Sequence, residues 1–233
     1  MNALERVEAQ AVRDAVVLGG GRGELAGGAM CVQLPAVPMM ELNRAIVLGP
    51  VVDPDAIAAW FGGPHTIATH DESLGRELAS RGYTRARTWM KFERGAAPAP
   101  AAATEARIEE TLDGELFGYL LGGGAELGGM VGAPGWRCFV GWVGDEPAAC
   151  GALYADGTSA WLGAAFTREE FRGRGLQSAL LAARIEAALA GGATLLASET
   201  GEQLPERPST SYRNLLRAGF REAFLRANWT SPA

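Results

Sequence analysis

Phe166-Thr167-Arg168-Glu169-Glu170-Phe171-Arg172-Gly173-Arg174-Gly175-Leu176-Gln177-Ser178-Ala179-Leu180 is the stretch whose reading decides the fold. A strand ends at its beginning, a charged connector follows, and a glycine-bearing loop opens a helix. The first N–H groups of a helix have no intrahelical partner, and with the helix dipole behind them they form a site for an anion. Gly173 and Gly175 lack the Cβ atoms that would hold a pyrophosphate away from the backbone. Arg172 and Arg174 add positive charge. The dipole contributes only about 0.3–1 kcal/mol, so binding here requires several hydrogen bonds acting together. A Walker A loop is excluded because its lysine is missing. A dinucleotide fingerprint is a nearer rival. Gly173-x-Gly175-x-x-Ser178 approximates it, with Glu199 near the acidic position, but Arg168-Glu169-Glu170 separates the strand from the first glycine. Too little chain also follows Glu199 for the rest of a doubly wound sheet.

Working outward, Trp136–Val143 and Ala148–Tyr154 read as a hairpin around the turn Gly144-Asp145-Glu146-Pro147. Ser159–Thr167 is a third strand, after a turn at Asp156-Gly157. The helix runs from about Gly175 to Ala190. Leu176, Leu180, Ala183 and Ala187 form its apolar face, and Gln177 and Arg184 face elsewhere. Gly191-Gly192 stops it. A short strand at Ala106–Glu109 and helical turns at Glu115–Leu121 precede the hairpin. A buried-type strand at Thr194–Ala197, a helix at Ser209–Ala218 and a closing strand at Phe220–Trp229 complete the half. The order β, α, β-β-β, α, β, α, β predicts a mixed sheet with helices on both faces.

The run Gly95–Thr104 (GAAPAPAAAT) is the one clear break in composition, and its proline–alanine alternation favours an extended spacer. The halves on either side share an echo. Leu78-Ala79-Ser80-Arg81-Gly82-Tyr83-Thr84-Arg85-Ala86 lies over Leu215-Leu216-Arg217-Ala218-Gly219-Phe220-Arg221-Glu222-Ala223, each a helix stopped by glycine before an aromatic opens a strand. A tandem duplication is expected.

The bulk numbers narrow the function. At 233 residues, with 48% hydrophobic and 21% charged residues, the chain has material for two domains of about 100 residues each. A net charge of −6 without a basic block argues against nucleic acid as a partner. Lys91 is the only lysine among 21 basic residues. Cys31, Cys138 and Cys150 are odd in number and widely spaced, which fits buried thiols and neither disulfides nor a metal site. The N-terminal MNALERVEAQ shows no secretory pattern, and no apolar run is long enough to span a bilayer, so a cytoplasmic location is expected.

Together these residues resemble the GNAT superfamily of acetyl-coenzyme A-dependent acyltransferases. The family signature [QR]-x-x-G-x-[GA] maps onto Arg172, Gly175 and position 177, where Gln177 replaces the small residue. The late helix ending in Gly219-Phe220 is a second family feature, and the resemblance covers about Thr104 to Trp229. It implies an α/β fold of two GNAT-like domains, each a mixed, mostly antiparallel sheet with helices on both faces. Residues 1–94 would be a degenerate copy, 95–104 the linker and 105–233 the acetyl-CoA-binding domain. No glycine–arginine pattern appears between Gly49 and Gly63, where the first copy's phosphate loop would fall. The chain would then act as a pseudo-dimer, or form a homodimer.

The resemblance also implies that Ala165, Phe166 and Thr167, on a strand splayed from its neighbour, pair with the pantetheine arm. The pyrophosphate would rest on N–H groups from Arg172 through Gly173, Arg174, Gly175 and Leu176 to Gln177, with Ser178 and Asn214 as further cofactor contacts. No metal is implied. The acceptor would be a primary amine on a small molecule or peptide. An alkyl amine has a pKa near ~10.4, so a base must take its proton, whereas the departing thiol, at roughly 8.5, needs less help. Many relatives carry a tyrosine acid four residues before the Gly of Gly-Phe; here that position is Leu215. Tyr212, one turn earlier, is the candidate acid, set against simple packing at a helix start. Glu199 is the candidate base or water-holder, set against a solvated strand-end carboxylate. His65 and His70 read as loop residues, and Trp136, Trp142 and Trp161 as core or pocket lining. Two other readings stay open, an acetyl-CoA-binding regulator with little turnover and a dinucleotide-dependent oxidoreductase.

Overall fold

A computed structural model describes residues 2–232. The N-terminal half runs α1 (Ala3–Leu18), β1 (Arg22–Ala26), β2 (Ala29–Gln33), β3 (Asn43–Val47), α2 (Pro54–Phe61), β4 (Thr66–Thr69), α3 (Glu72–Ser80), β5 (Thr84–Arg85) and β6 (Trp89–Arg94). The C-terminal half runs β7 (Arg107–Glu110), α4 (Gly114–Leu121), α5 (Gly124–Gly128), β8 (Trp136–Val143), β9 (Glu146–Asp156), β10 (Ser159–Thr167), α6 (Leu176–Ala190), β11 (Leu195–Gly201), α7 (Thr210–Arg217) and β12 (Arg221–Thr230). The fold is mixed α/β, as expected. Three details differ from the sequence reading. Helix α5 was not foreseen. Strand β9 begins at Glu146, because Pro147 sits opposite a register shift between Gly141 and Trp142 and removes no ladder bond from a regular stretch. Strand β11 continues to Gly201, because its outer residues Glu199–Gly201 pair with β6.

The halves do not keep separate sheets. Eleven strands run in the order β1-β2-β3-β4-β12-β6-β11-β10-β9-β8-β7, and β5 pairs with β12 as the twelfth. Strand β12 follows α7, yet it pairs with β4 of the first half. Strand β6 precedes the proline–alanine segment, yet it pairs with β11 of the second. The two strands also pair with each other, antiparallel. Each half therefore lends its closing strand to the other. Within each half one parallel pair stands beside an antiparallel meander: β3 with β4, and β10 with β11.

The sheet bends around α1. Its Val7, Val12 and Val16 join Met30, Val32 and Ile46 from the first half to Cys138, Val140, Cys150 and Trp161 from the second in one core. A helix between two apolar walls must be apolar on most of its circumference, and α1 buries nine of its residues. Two of those nine, Glu5 and Glu8, are acidic. A second core lies under α6 and α7, around Phe92, Leu162, Leu180 and Phe220. A third, around Ala45, Ile57, Ile67 and Leu78, lies under α2 and α3.

The three cysteines are buried and free, and burial pushes each thiol up to about 12. Among the described residues, no helix is long and apolar enough to cross a membrane, and no group of His, Cys, Asp and Glu is arranged to hold a metal.

Candidate active site

The site is built where β10 parts from β11. The strands pair in parallel from Ser159↔Leu195 to Leu162↔Ser198 and no further. Beyond that point β11 pairs with β6, while β10 bulges away. The register of β10 on β9 passes from Gly163↔Ala152 to Phe166↔Cys150, leaving Ala164 and Ala165 outside the ladder. Ala164 has φ 44°, the only positive φ among the described non-glycine residues. A left-handed alanine costs about 1–2 kcal/mol, so neighbouring contacts must hold it there. Ser198 Oγ donates to the Leu162 carbonyl at 2.8 Å and fastens the last paired position.

Ala165 and Phe166 are exposed, and Thr167 is buried. Arg168 anchors the connector: its N–H donates to the Ala148 carbonyl and its guanidinium to Pro147 and Glu170. A 3-10 turn, Glu169–Phe171, follows. The ring of Phe171 is buried, with Arg168 and Arg174 over it at 5.0 and 5.4 Å. Arg172 is largely exposed. Gly173 and Gly175 have φ 79° and 78°, which turn the chain into α6. The helix begins at Gly175 without a side-chain cap and without an acidic residue in its first turn. Its first helical bond is Ala179 N–H to the Gly175 carbonyl, so the N–H groups from Gly173 to Ser178 have no backbone carbonyl to bond. Gln177 donates to Thr167 Oγ1 at 2.7 Å, tying the helix start back to the end of β10. The larger residue at the signature's small position thus has a bond across the loop.

The two glycines have different surroundings. A Cβ on Gly173 would meet nothing within 4 Å, whereas one on Gly175 would stand 2.5 Å from the Ala103 carbonyl. Thr104 Oγ1 donates to the Arg174 carbonyl at 2.9 Å. The end of the proline–alanine segment therefore lies against the loop. Gly175 is needed for this packing.

The two catalytic candidates are not free side chains. Glu199 lies inside β11, one residue past the last pairing with β10, and is neither strand-terminal nor solvated. Its carboxylate meets Lys91, Arg44 at 3.3 Å and Arg226 at 3.4 Å, and Glu8 of α1 pairs with the same three cations. Burial alone would raise the Glu8 carboxyl, but the charges of Arg226, Lys91 and Arg44 outweigh it and hold it well below the usual range. Burial and the charge of Arg226 push Lys91 down to about 8, against the pull of Glu199 and Glu8. Sequence reasoning missed this cluster, which draws on α1, β3, β6, β11 and β12. Tyr212 donates its hydroxyl to Glu222 at 2.5 Å, and its ring stands edge-on to Phe92. Burial, then that bond, pushes it up to about 12. With its proton committed to Glu222 it is not poised as an acid. Leu215 is in the core beneath it, and Asn214 is half-buried on the same helix.

Arg184 corrects a further expectation. It does not face away from the sheet but is 1% exposed beneath the β10 bulge, donating to the carbonyls of Leu180, Ala152 and Gly163. His65 is buried between Phe61 and Tyr83, and His70 pairs with Glu5 at 3.0 Å. Trp136 and Trp161 belong to the core around α1, with Trp142 packed against it.

Residues 112–207 match the model of the acetyltransferase (GNAT) family. The match sets its class as acyltransferase. Among solved structures, the whole chain aligns with 97% of a GCN5-related N-acetyltransferase from Kribbella flavida, at a TM-score of 0.70 and 19% identity. It also covers 91% of a putative GNAT-family acetyltransferase from Novosphingobium aromaticivorans, with 91% of this chain aligned (TM-score 0.59, 16% identity). For a tandem GNAT protein from the clavulanic acid biosynthesis pathway the shares are 82% of this chain and 76% of that one (TM-score 0.60, 15% identity). At these identities the likeness is one of fold. No curated protein matches.

Proposed function

We propose that the protein transfers the acetyl group of acetyl-CoA to a primary amine, and that residues 105–233 bind the cosubstrate while residues 1–94 form a second, degenerate GNAT-like unit. One observation carries this reading: the parting of β10 and β11 opens directly onto an uncapped helix start whose N–H groups have no backbone partner. The pyrophosphate would take those N–H groups from Gly173 to Gln177, the Arg172 N–H being already given to the Glu169 carbonyl, with Ser178 and Asn214 beside it, and the pantetheine amides would pair with Ala165–Thr167. Arg172 and Arg174 are exposed cations of the same loop.

The amine nitrogen bonds to the thioester carbon as the C–S bond breaks. The amine proton leaves to solvent or to a base, and coenzyme A departs as the thiolate. The oxyanion formed on the way needs a fixed donor, and the backbone of the β10 bulge, out of register with β9, would supply an N–H at that point. Glu199 is read as a water-holder and not the direct base, because its oxygens already accept from three cations. The thiolate leaves without Tyr212.

The test is thermal unfolding with saturating acetyl-CoA, with NADPH as control. A ligand at 100 times its dissociation constant adds about 2.7 kcal/mol, a rise of roughly 5–11 °C for a chain of this length. A rise with acetyl-CoA alone, followed by release of free thiol with some amine, is expected; no rise overturns the reading. The commitment of Tyr212 to Glu222 favours one second reading, binding with little turnover. A rise with acetyl-CoA but no thiol release across an amine panel would select it.

A further inference from the structure

We propose that Arg184 is a positioning residue for acyl transfer, holding the Gly163–Ala164 peptide so that the Ala164 N–H faces the reacting carbonyl and is strengthened as a donor. The inference rests on the acetyltransferase reading above and adds a residue that neither the sequence signature nor the loop contains.

Arg184 rises from α6 into the sheet. Its Nη1 donates to the Ala152 and Gly163 carbonyls, each at 3.2 Å, and its Nε to the Leu180 carbonyl at 3.0 Å. Among the described residues its hydrogen-bond partners are carbonyls only. Enclosing a guanidinium without a carboxylate is costly, and burial pulls this one down to about 10. The fold nevertheless makes room for it. A Cβ on Gly151 would stand 2.9 Å from its Cζ, so a glycine on β9 is what lets the guanidinium lie there. On the other side of Gly163, a Cβ would run into the Trp161 ring. Gly163 is thus fixed from both sides, its carbonyl by Arg184 and its Cα by Trp161.

The consequence follows from the peptide plane. The described chain contains no cis peptide, so the N–H of Ala164 points opposite to the Gly163 carbonyl. With that carbonyl turned towards Arg184 and α6, the N–H is turned to the other face, outside the ladder, where β10 and β11 part. A cation bonded to a peptide oxygen draws charge through the amide and strengthens its N–H as a donor. The left-handed Ala164 is held by the same contact.

The experiment compares wild type with Arg184→Met, Arg184→Lys and Gly151→Ala, the last keeping the charge but displacing it. For each, acetyl-CoA affinity is measured by calorimetry, and the carbonyl stretch of bound carbonyl-13C acetyl-CoA by difference infrared spectroscopy. Turnover is measured with any amine accepted by wild type. In wild type the bound carbonyl should shift to lower frequency than in solution. Arg184→Met should lose most of that shift and about 10–100-fold in kcat, with affinity within about threefold, and Arg184→Lys should recover part of both. Should Arg184→Met fail to fold, the other two variants carry the same comparison. An unshifted carbonyl in wild type that binds acetyl-CoA overturns this proposal alone. A shift retained in every folded variant does so too. Failure of wild type to bind acetyl-CoA overturns the acetyltransferase reading, and this one with it.

Discussion

The β3–α2–β4 and β10–α6–β11 units repeat one topology and differ in the chemistry at the start of the helix. In each, a strand leads through a connector to a helix and back to a parallel neighbour. Helix α2 is sealed: the Asp53 carboxylate accepts from the N–H groups of Asp55 and Ala56 at 3.0 and 3.1 Å, with Pro54 in the first turn and Asp55 adding a second negative charge. Its connector is pinned to the β1–β2 turn through Leu48 N–H to Gly28 and Asp53 N–H to Gly27. Helix α6 has no cap, no acid in its first turn and two left-handed glycines before it. A capped start is the more stable one, and it repels an anion. The open start forgoes that stability and keeps its donors available. Two units of one topology can therefore differ in whether the start of the helix is open.

The largest expected effect falls outside both units, on Glu8 of α1, whose ion-pair cluster takes in Arg44 of β3 and Glu199 of β11. Glu8→Ala removes a carboxylate that pairs with Arg44, Lys91 and Arg226 and leaves those cations with Glu199 alone. Breaking a buried ion pair costs about 3–5 kcal/mol, measurable by urea unfolding; a loss under about 1 kcal/mol would show that the cluster does not join the units. The same carboxyl sets a pH dependence. Its folded pKa lies below its unfolded value, so its contribution is fully present above about pH 4.5 and is lost as pH falls through the folded value. Acid unfolding of wild type should be steeper than that of Glu8→Ala, and parallel curves would contradict this.

Next comes Gly173→Asp, which places a carboxylate beside the open donors in the manner of Asp53. Gly173 has free space around it, and Asp tolerates its left-handed φ better than most residues. Acetyl-CoA affinity should fall at least ~100-fold, or about 2.7 kcal/mol, with little change in melting temperature. Unchanged affinity in calorimetry would move the cofactor site elsewhere.

Smaller is the converse change, Asp53→Ala, which uncaps α2. It should cost ~1 kcal/mol and lower the melting midpoint by about 2–4 °C without altering acetyl-CoA affinity. Any gain of phosphate binding at α2 would mean the first unit is closer to function than its sequence suggests. The smallest effect is expected from Gln177→Ala, which loses the bond to Thr167, about 0.5–1.5 kcal/mol. A loss of acetyl-CoA affinity larger than this would show that the bond shapes the loop.

Much of this was legible beforehand. Strand β10 falls on the residues read for it, and α6, α7 and β12 within a residue or two, because glycine stops and apolar periodicity are local signals. The loop of Gly173 and Gly175 was legible for the same reason. Arg184 was not: arginine on a helix usually faces water, and only Gly151, more than thirty residues away, betrays the space for it. Nor was the cluster around Glu199, because Glu8, Arg44 and Arg226 come from three distant segments and no spacing links them. The exchange of β6 and β12 was likewise invisible, since a strand's pattern tells which face is buried and not which neighbour it joins.

That exchange bears on how the chain acquires its shape. Strand β4 at Thr66–Thr69 receives β12 only after some 150 further residues have been made. At synthesis rates of about 5–20 residues per second, the first unit waits on the order of ten seconds with an unpaired edge. Such an edge is an invitation to neighbouring chains. Expression yield should therefore respond more to chaperone supply and translation speed than the finished protein's stability alone would suggest.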